Sequence, residues 1–93
     1  MPELSRAEVL ASIAANVRRL RAGKLTQQEL EDATGIGVQY IRRIERGTVN
    51  LRVDTIVRIA NALGVQPGVL LRRAKLRPAK AGRPRKRSPR FRG

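Results

Sequence analysis

Between Val38 and Arg46 the sequence VQYIRRIER contains Gln39, Arg42, Arg43 and Arg46. If the stretch is helical, about 3.6 residues per turn bring these four side chains to one side, opposite Ile41 and Ile44. One amide and three guanidinium groups on a single face match the base edges of the DNA major groove, where Arg pairs with guanine and Gln with adenine. Base reading also needs a second helix to hold the first in place, and a short one lies just upstream. Its start carries Gln27 and Gln28, where unpaired backbone N–H groups and the helix dipole favour a phosphate.

The rest of the composition removes competing chemistries. The 93 residues include no Cys and no His, which excludes thiolate chemistry, disulfides, the usual zinc clusters and imidazole acid–base catalysis. The seven carboxylates include no pair set together in an apolar cleft, so no enzyme, metal site or cofactor is expected. The start MPEL has no basic leader, and Ser12, Asn16 and Arg18 interrupt the apolar stretches. A cytoplasmic, nucleoid-associated protein without a membrane partner is expected. The formal net charge of +14 points to a polyanion as partner.

That charge is unevenly placed. Residues 1–71 carry 10 basic and 7 acidic side chains, whereas residues 72–93 carry 11 basic and none that is acidic. Pro78, Pro84 and Pro89 also interrupt the second segment. The reading is one DNA-binding domain over residues 6–73, followed by a basic, Pro-containing tail over residues 74–93. With no apolar stripe to offset ordering entropy, the tail is expected to be disordered.

The elements that must position the arginine face follow from periodicity and caps. Leu10, Ile13, Ala14, Val17 and Leu20 predict a first helix from about Arg6 to Arg21, closed by Ala22-Gly23. Thr26 with Glu29 forms a capping-box pattern for a second helix over about Gln27–Thr34, with Leu30 and Ala33 inward. Gly35 stops it in the left-handed region and Gly37 opens the third helix, which ends before Gly47. Val53, Ile56, Val57, Ile59, Ala60 and Leu63 predict a fourth, and Pro67 opens a fifth, with Val65, Leu70 and Leu71 completing the core. The fold class is all-α.

Several of these segments, in this order and spacing, resemble the Cro/C1-type helix-turn-helix family. They are LTQQEL at Leu25–Leu30, TGI at Thr34–Ile36, YIRRIERG at Tyr40–Gly47, and Asp54-Thr55 followed by IANALGV at Ile59–Val65. The resemblance covers about residues 10–71 and implies a five-helix, lambda-repressor-like domain whose third helix enters the major groove. It further implies two protomers on a palindromic operator. Position by position, it implies base contacts from Val38, Gln39, Arg42 and Arg43, with Gln27, Tyr40, Thr48 and Asn50 near phosphates. The family commonly pairs an acid at the position of Glu45 with an Arg late in helix 1, here Arg21. The sequence departs from the family at Glu31, where a small residue is usual, and at Leu51-Arg52, which replaces a frequent Pro-Ser cap of helix 4. Arg52 lacks the acceptor such a cap needs and is read, with Gln28 and Arg46, as a phosphate contact.

The tail segment GRPRKR, residues 82–87, resembles an AT-hook, which implies minor-groove contacts from Arg83, Arg85, Lys86 and Arg87. A solvated charge run that binds any polyanion is the alternative. The expected function is a sequence-specific transcriptional regulator, a repressor acting as a homodimer on double-stranded DNA. The alternatives are an antitoxin, which would use a further surface to hold a toxin partner, and an architectural, nucleoid-type DNA binder with little sequence preference.

Overall fold

The computed structural model describes residues 3–76, and all secondary structure among them is helical. The helices are α1 (Arg6–Ala22), α2 (Gln27–Thr34), α3 (Val38–Arg46), α4 (Val53–Leu63) and α5 (Pro67–Leu70).

Local chemistry explains the boundaries. The Thr26 hydroxyl accepts the Glu29 N–H at 3.0 Å while the Thr26 N–H donates to the Glu29 carboxylate at 2.8 Å, so α2 opens on a complete capping box. It ends at Gly35, whose φ of 76° is a conformation that L side chains rarely adopt. The Thr34 hydroxyl fastens this turn, donating to the Leu30 carbonyl and accepting the Ile36 N–H. Three residues, 35–37, separate α2 from α3.

A second capping box, between Ser5 and Glu8, opens α1. The Ser5 backbone N–H donates to the Glu8 carboxylate and holds its pKa below the ordinary value, helped by the Ser5 hydroxyl and the charge of Arg73. Because the folded-state value lies below the unfolded one, this contribution is present above the ordinary glutamate range. It is lost as pH falls through the folded-state value. Amide exchange in the first turn of α1 should therefore quicken on acidification in the wild type and respond far less in Glu8→Gln; an identical response in both would remove the cap as its cause.

The core draws on every helix: Ile13 and Val17 from α1, Leu30 from α2, Ile41 and Ile44 from α3, Ile59 and Leu63 from α4, and Leu70 from α5. Three residues expected inside are not there. Val53 is 76% exposed, although it shares its azimuth with Ala60. Helical side chains lean toward the N-terminus, so the first residue of a helix points past its end. Leu71 is 49% exposed because Leu70 takes the inward position and the next residue lies about 100° further round. Ala33 is also exposed, and α2 reaches the core only through Leu30.

Two polar residues are buried among the apolar side chains of α1, and both hold the chain that follows α5. Asn16 Nδ2 donates to the carbonyls of Leu70 at 3.0 Å and Arg72 at 2.8 Å. One turn earlier the Ser12 hydroxyl donates to the Ala74 carbonyl and accepts the Ala74 N–H at 3.1 Å. Leu76 then reaches the end of α3: a Cβ on Gly47 would lie 3.3 Å from Leu76 Cδ2. The change in charge near Arg72 is therefore not a packing boundary, and the chain stays on the body through Leu76. Asn16→Ala leaves two carbonyls without their donor and is expected to cost about 1–3 kcal/mol in urea unfolding. A loss below about 0.5 kcal/mol, the usual range for surface substitutions, would mean that Asn16 does not secure this segment.

Candidate nucleic-acid interface

The α3 helix buries Ile41 and Ile44 and turns Gln39, Arg42, Arg43 and Arg46 to solvent. Among the described residues, the side chains of Gln39, Arg43 and Arg46 form no hydrogen bond or ion pair, so their donors are available to a partner. Val38, half-buried, is the first residue of the helix.

The helix is held by a buried carboxylate. Glu45 is 6% exposed and accepts both Nε and Nη2 of Arg21, the latter at 2.9 Å. Gln27 Nε2 donates to the same Oε1 at 3.0 Å, and Arg21 Nη1 also donates to the Leu25 carbonyl at 3.1 Å. A fork-to-fork ion pair with a third donor satisfies a carboxylate that burial alone would penalise. It joins the last turn of α1, the first residue of α2 and the last turn of α3. Arg42 Nε donates to Gln27 Oε1 at 3.3 Å, which extends the chain of contacts from the buried pair to the exposed face.

The remaining candidates fall into three groups. Gln28 is exposed beside Gln27, and its amide donates to Glu31 at 2.7 Å. The loop after α3 is tied back to it: the Tyr40 hydroxyl donates to the Asn50 carbonyl at 3.0 Å, and the Thr48 hydroxyl donates to the Arg43 carbonyl at 3.3 Å. The single proton of Tyr40 is thereby used within the protein, which makes Tyr40 a support for the loop carrying Thr48 and Asn50. Asn50 and Arg52 are exposed, and Arg52 stands at the N-cap of α4 without a side-chain cap bond. Arg83, Arg85, Lys86 and Arg87 lie outside the described residues. No helix among the described residues is long and apolar enough to cross a membrane.

The supporting residues that sequence reasoning did not pick out are Ser12, Asn16 and Lys24. Lys24 Nζ donates to the Leu63 carbonyl at 3.0 Å, at the C-terminal end of α4, where a cation is favoured. The signal for the first two was present: polar residues four apart on the apolar side of α1 require buried partners.

The helix-turn-helix family profile matches residues 17–70. Over 54 residues, 57% of this chain and 70% of its relative, the sequence is 44% identical to an uncharacterized HTH-type transcriptional regulator, y4dJ, of Sinorhizobium fredii. It is also 44% identical over 57 residues to the control protein C.BamHI of Bacillus amyloliquefaciens, covering 59% of this chain and 70% of that protein. Among solved structures, the restriction-modification controller protein C.AhdI of Aeromonas hydrophila superposes with a TM-score of 0.62 at 32% identity, covering 66% of this chain and 94% of that one. With the Arg21–Glu45 pair holding an exposed arginine face on the third of five helices, the chain belongs to the Cro/C1-type helix-turn-helix family and is a DNA-binding transcriptional regulator.

Proposed function

We propose that two copies of this chain bind a palindromic operator and repress by occupying a promoter. The observation that carries this reading is the α3 face, whose donors are exposed while its base is locked to α1 and α2 through Glu45. Val38, Gln39, Arg42 and Arg43 supply the base contacts. Gln27, Gln28, Arg46, Thr48, Asn50 and Arg52 lie along the flanking phosphates, and Tyr40 acts through the loop that it holds. Likeness to C.BamHI and C.AhdI supports a narrower version in which the controlled genes belong to a restriction-modification system.

Selection from a random DNA pool tests the reading. The expected product is a two-fold symmetric site with half-sites about 10 base pairs apart, because two recognition helices must meet successive major grooves on one side of the duplex. Native mass measurement should then find two protomers per minimal site. One protomer per site would defeat the homodimer. A ratio of specific to non-specific affinity below about tenfold would place the chain with architectural DNA binders instead.

Arg42→Ala is expected to weaken the selected site by about 1–3 kcal/mol and relax preference at one base position; Gln39→Ala should relax a different one. Repeating the selection with each variant reads this directly. Equal weakening on all sequences would make both residues phosphate contacts.

A further inference from the structure

The chain that leaves α5 is fastened at every second residue. Asn16 Nδ2 holds the carbonyls of Leu70 and Arg72, the Ser12 hydroxyl pairs with both backbone groups of Ala74, and Leu76 Cδ2 lies 3.3 Å from where a Cβ on Gly47 would sit. Arg73 and Lys75, between the anchored residues, are exposed. Ordering residues 72–76 costs backbone entropy, and in return the core gains only the half-buried Ala74 and Leu76. Two apolar residues at positions 12 and 16 would serve the packed side of α1 without any need for buried partners. What the two polar residues secure instead is the place where this strap ends. Gly47 closes α3 in the left-handed conformation, with φ of 73°, and Thr48 opens the loop assigned above to the phosphates. Residues 77–93, with eight Lys and Arg and no acidic residue, start from that point.

We propose that Ser12, Asn16 and Leu76 are positioning residues for DNA binding, which fix the origin of the basic tail at the C-terminal end of α3. The tail then meets the same duplex next to the bases that α3 reads; this consequence rests on the DNA-binding reading above. A tethered cation gains from its tether only as far as the length and starting point match the site, because effective concentration falls roughly as the −3/2 power of the free length. Arg83 is seven residues beyond Leu76, a span of at most about 25 Å. If Asn16 alone held the strap, the free chain would begin after Arg72, eleven residues from Arg83. Effective concentration would then fall about twofold. The span would also rise to about 38 Å, more than a full turn of the duplex, so Arg83 would no longer be confined to one flank.

The test uses the full chain, which has no Cys, so that Lys80→Cys gives one attachment point four residues beyond Leu76. Four residues span at most about 14 Å. A nitroxide attached there, in protein without DNA, is expected to broaden the amide resonances of Thr48 and its neighbours. A DNA-cleaving iron chelate at the same position is expected to cut the selected operator in one narrow cluster per half-site. Ser12→Ala combined with Leu76→Ser leaves Asn16 and its hold on α5 in place. That protein should lose the broadening, spread the cuts over about a helical turn and bind the operator about twofold more weakly. Leu76→Met keeps an apolar side chain of similar volume and should retain the wild-type pattern. The twofold loss should vanish when Arg83, Arg85, Lys86 and Arg87 are all replaced by Gln in the full-length chain. A loss that persists there belongs to the body of the domain and overturns the proposal. Unchanged broadening and cuts in the Ser12→Ala, Leu76→Ser protein overturn it as well. Should the wild type bind no duplex at all, the DNA reading fails on its own, and the broadening still decides whether the strap fixes the origin of the tail.

Discussion

Glu45→Ala is expected to lower the stability of the fold by about 3 kcal/mol, because it breaks a buried ion pair. Removing one partner of a buried ion pair typically costs about 3–5 kcal/mol, because the other charge is left without compensation. Here the abandoned partner, Arg21, is 17% exposed and keeps the Leu25 carbonyl, so it recovers some hydration and the loss falls at the low end. Arg21→Ala should cost at least as much, since Glu45 is more deeply buried and retains only the Gln27 amide. The double variant should cost less than the two losses combined, with a coupling above about 0.5 kcal/mol in urea unfolding; additivity within that margin would mean that the pair is not an energetic unit. DNA binding adds an independent readout. Without Glu45 the contact from Gln27 to Arg42 loses its anchor, so a folded Glu45→Gln protein should show weaker discrimination at the base position read by Arg42.

How much of this was legible depends on the distance over which each interaction acts. Thr26 with Glu29, and the glycines at 35, 47 and 64, mark helix ends through contacts within a few residues, and the structure places those ends where the residue types predict them. The Ser5 and Glu8 box obeys the same local rule and is visible in the sequence once the start of α1 is known. Azimuth was legible as well, which is why the arginine face of α3 lies outside. Depth along a helix was not: period alone cannot show that Val53 lies beyond the end of the packed surface. The roles of Asn16 and Ser12 depend on partners 54 to 62 residues away, with no local trace beyond two polar groups on an apolar stripe. The Arg21–Glu45 pair, 24 residues apart, came from family resemblance and not from spacing.

Deleting residues 77–93 is expected to produce the largest change in DNA affinity and almost none in stability. The cut follows Leu76 because Ala74 is paired with Ser12 and Leu76 lies against Gly47. Removing residues 74–93 instead should also lower the urea midpoint. The shorter deletion removes eight Lys and Arg and no acidic residue, leaving the α3 face intact. Each phosphate that those side chains neutralise contributes roughly 0.9 to the magnitude of the slope of log affinity against log salt. Engagement of even half of them would flatten the slope by about 3 to 4, and affinity at low salt would fall by orders of magnitude. Base preference should survive, since it resides on α3. Arg83 and Arg85 then separate two modes of tail binding. If they enter the minor groove, replacing both by Ala costs more on operators with A·T-rich flanks, where the groove is narrower and more negative, than on G·C-rich ones. Equal losses on both flanks would leave counterion release as the whole contribution, and an unchanged salt slope after deletion would remove the tail from DNA binding.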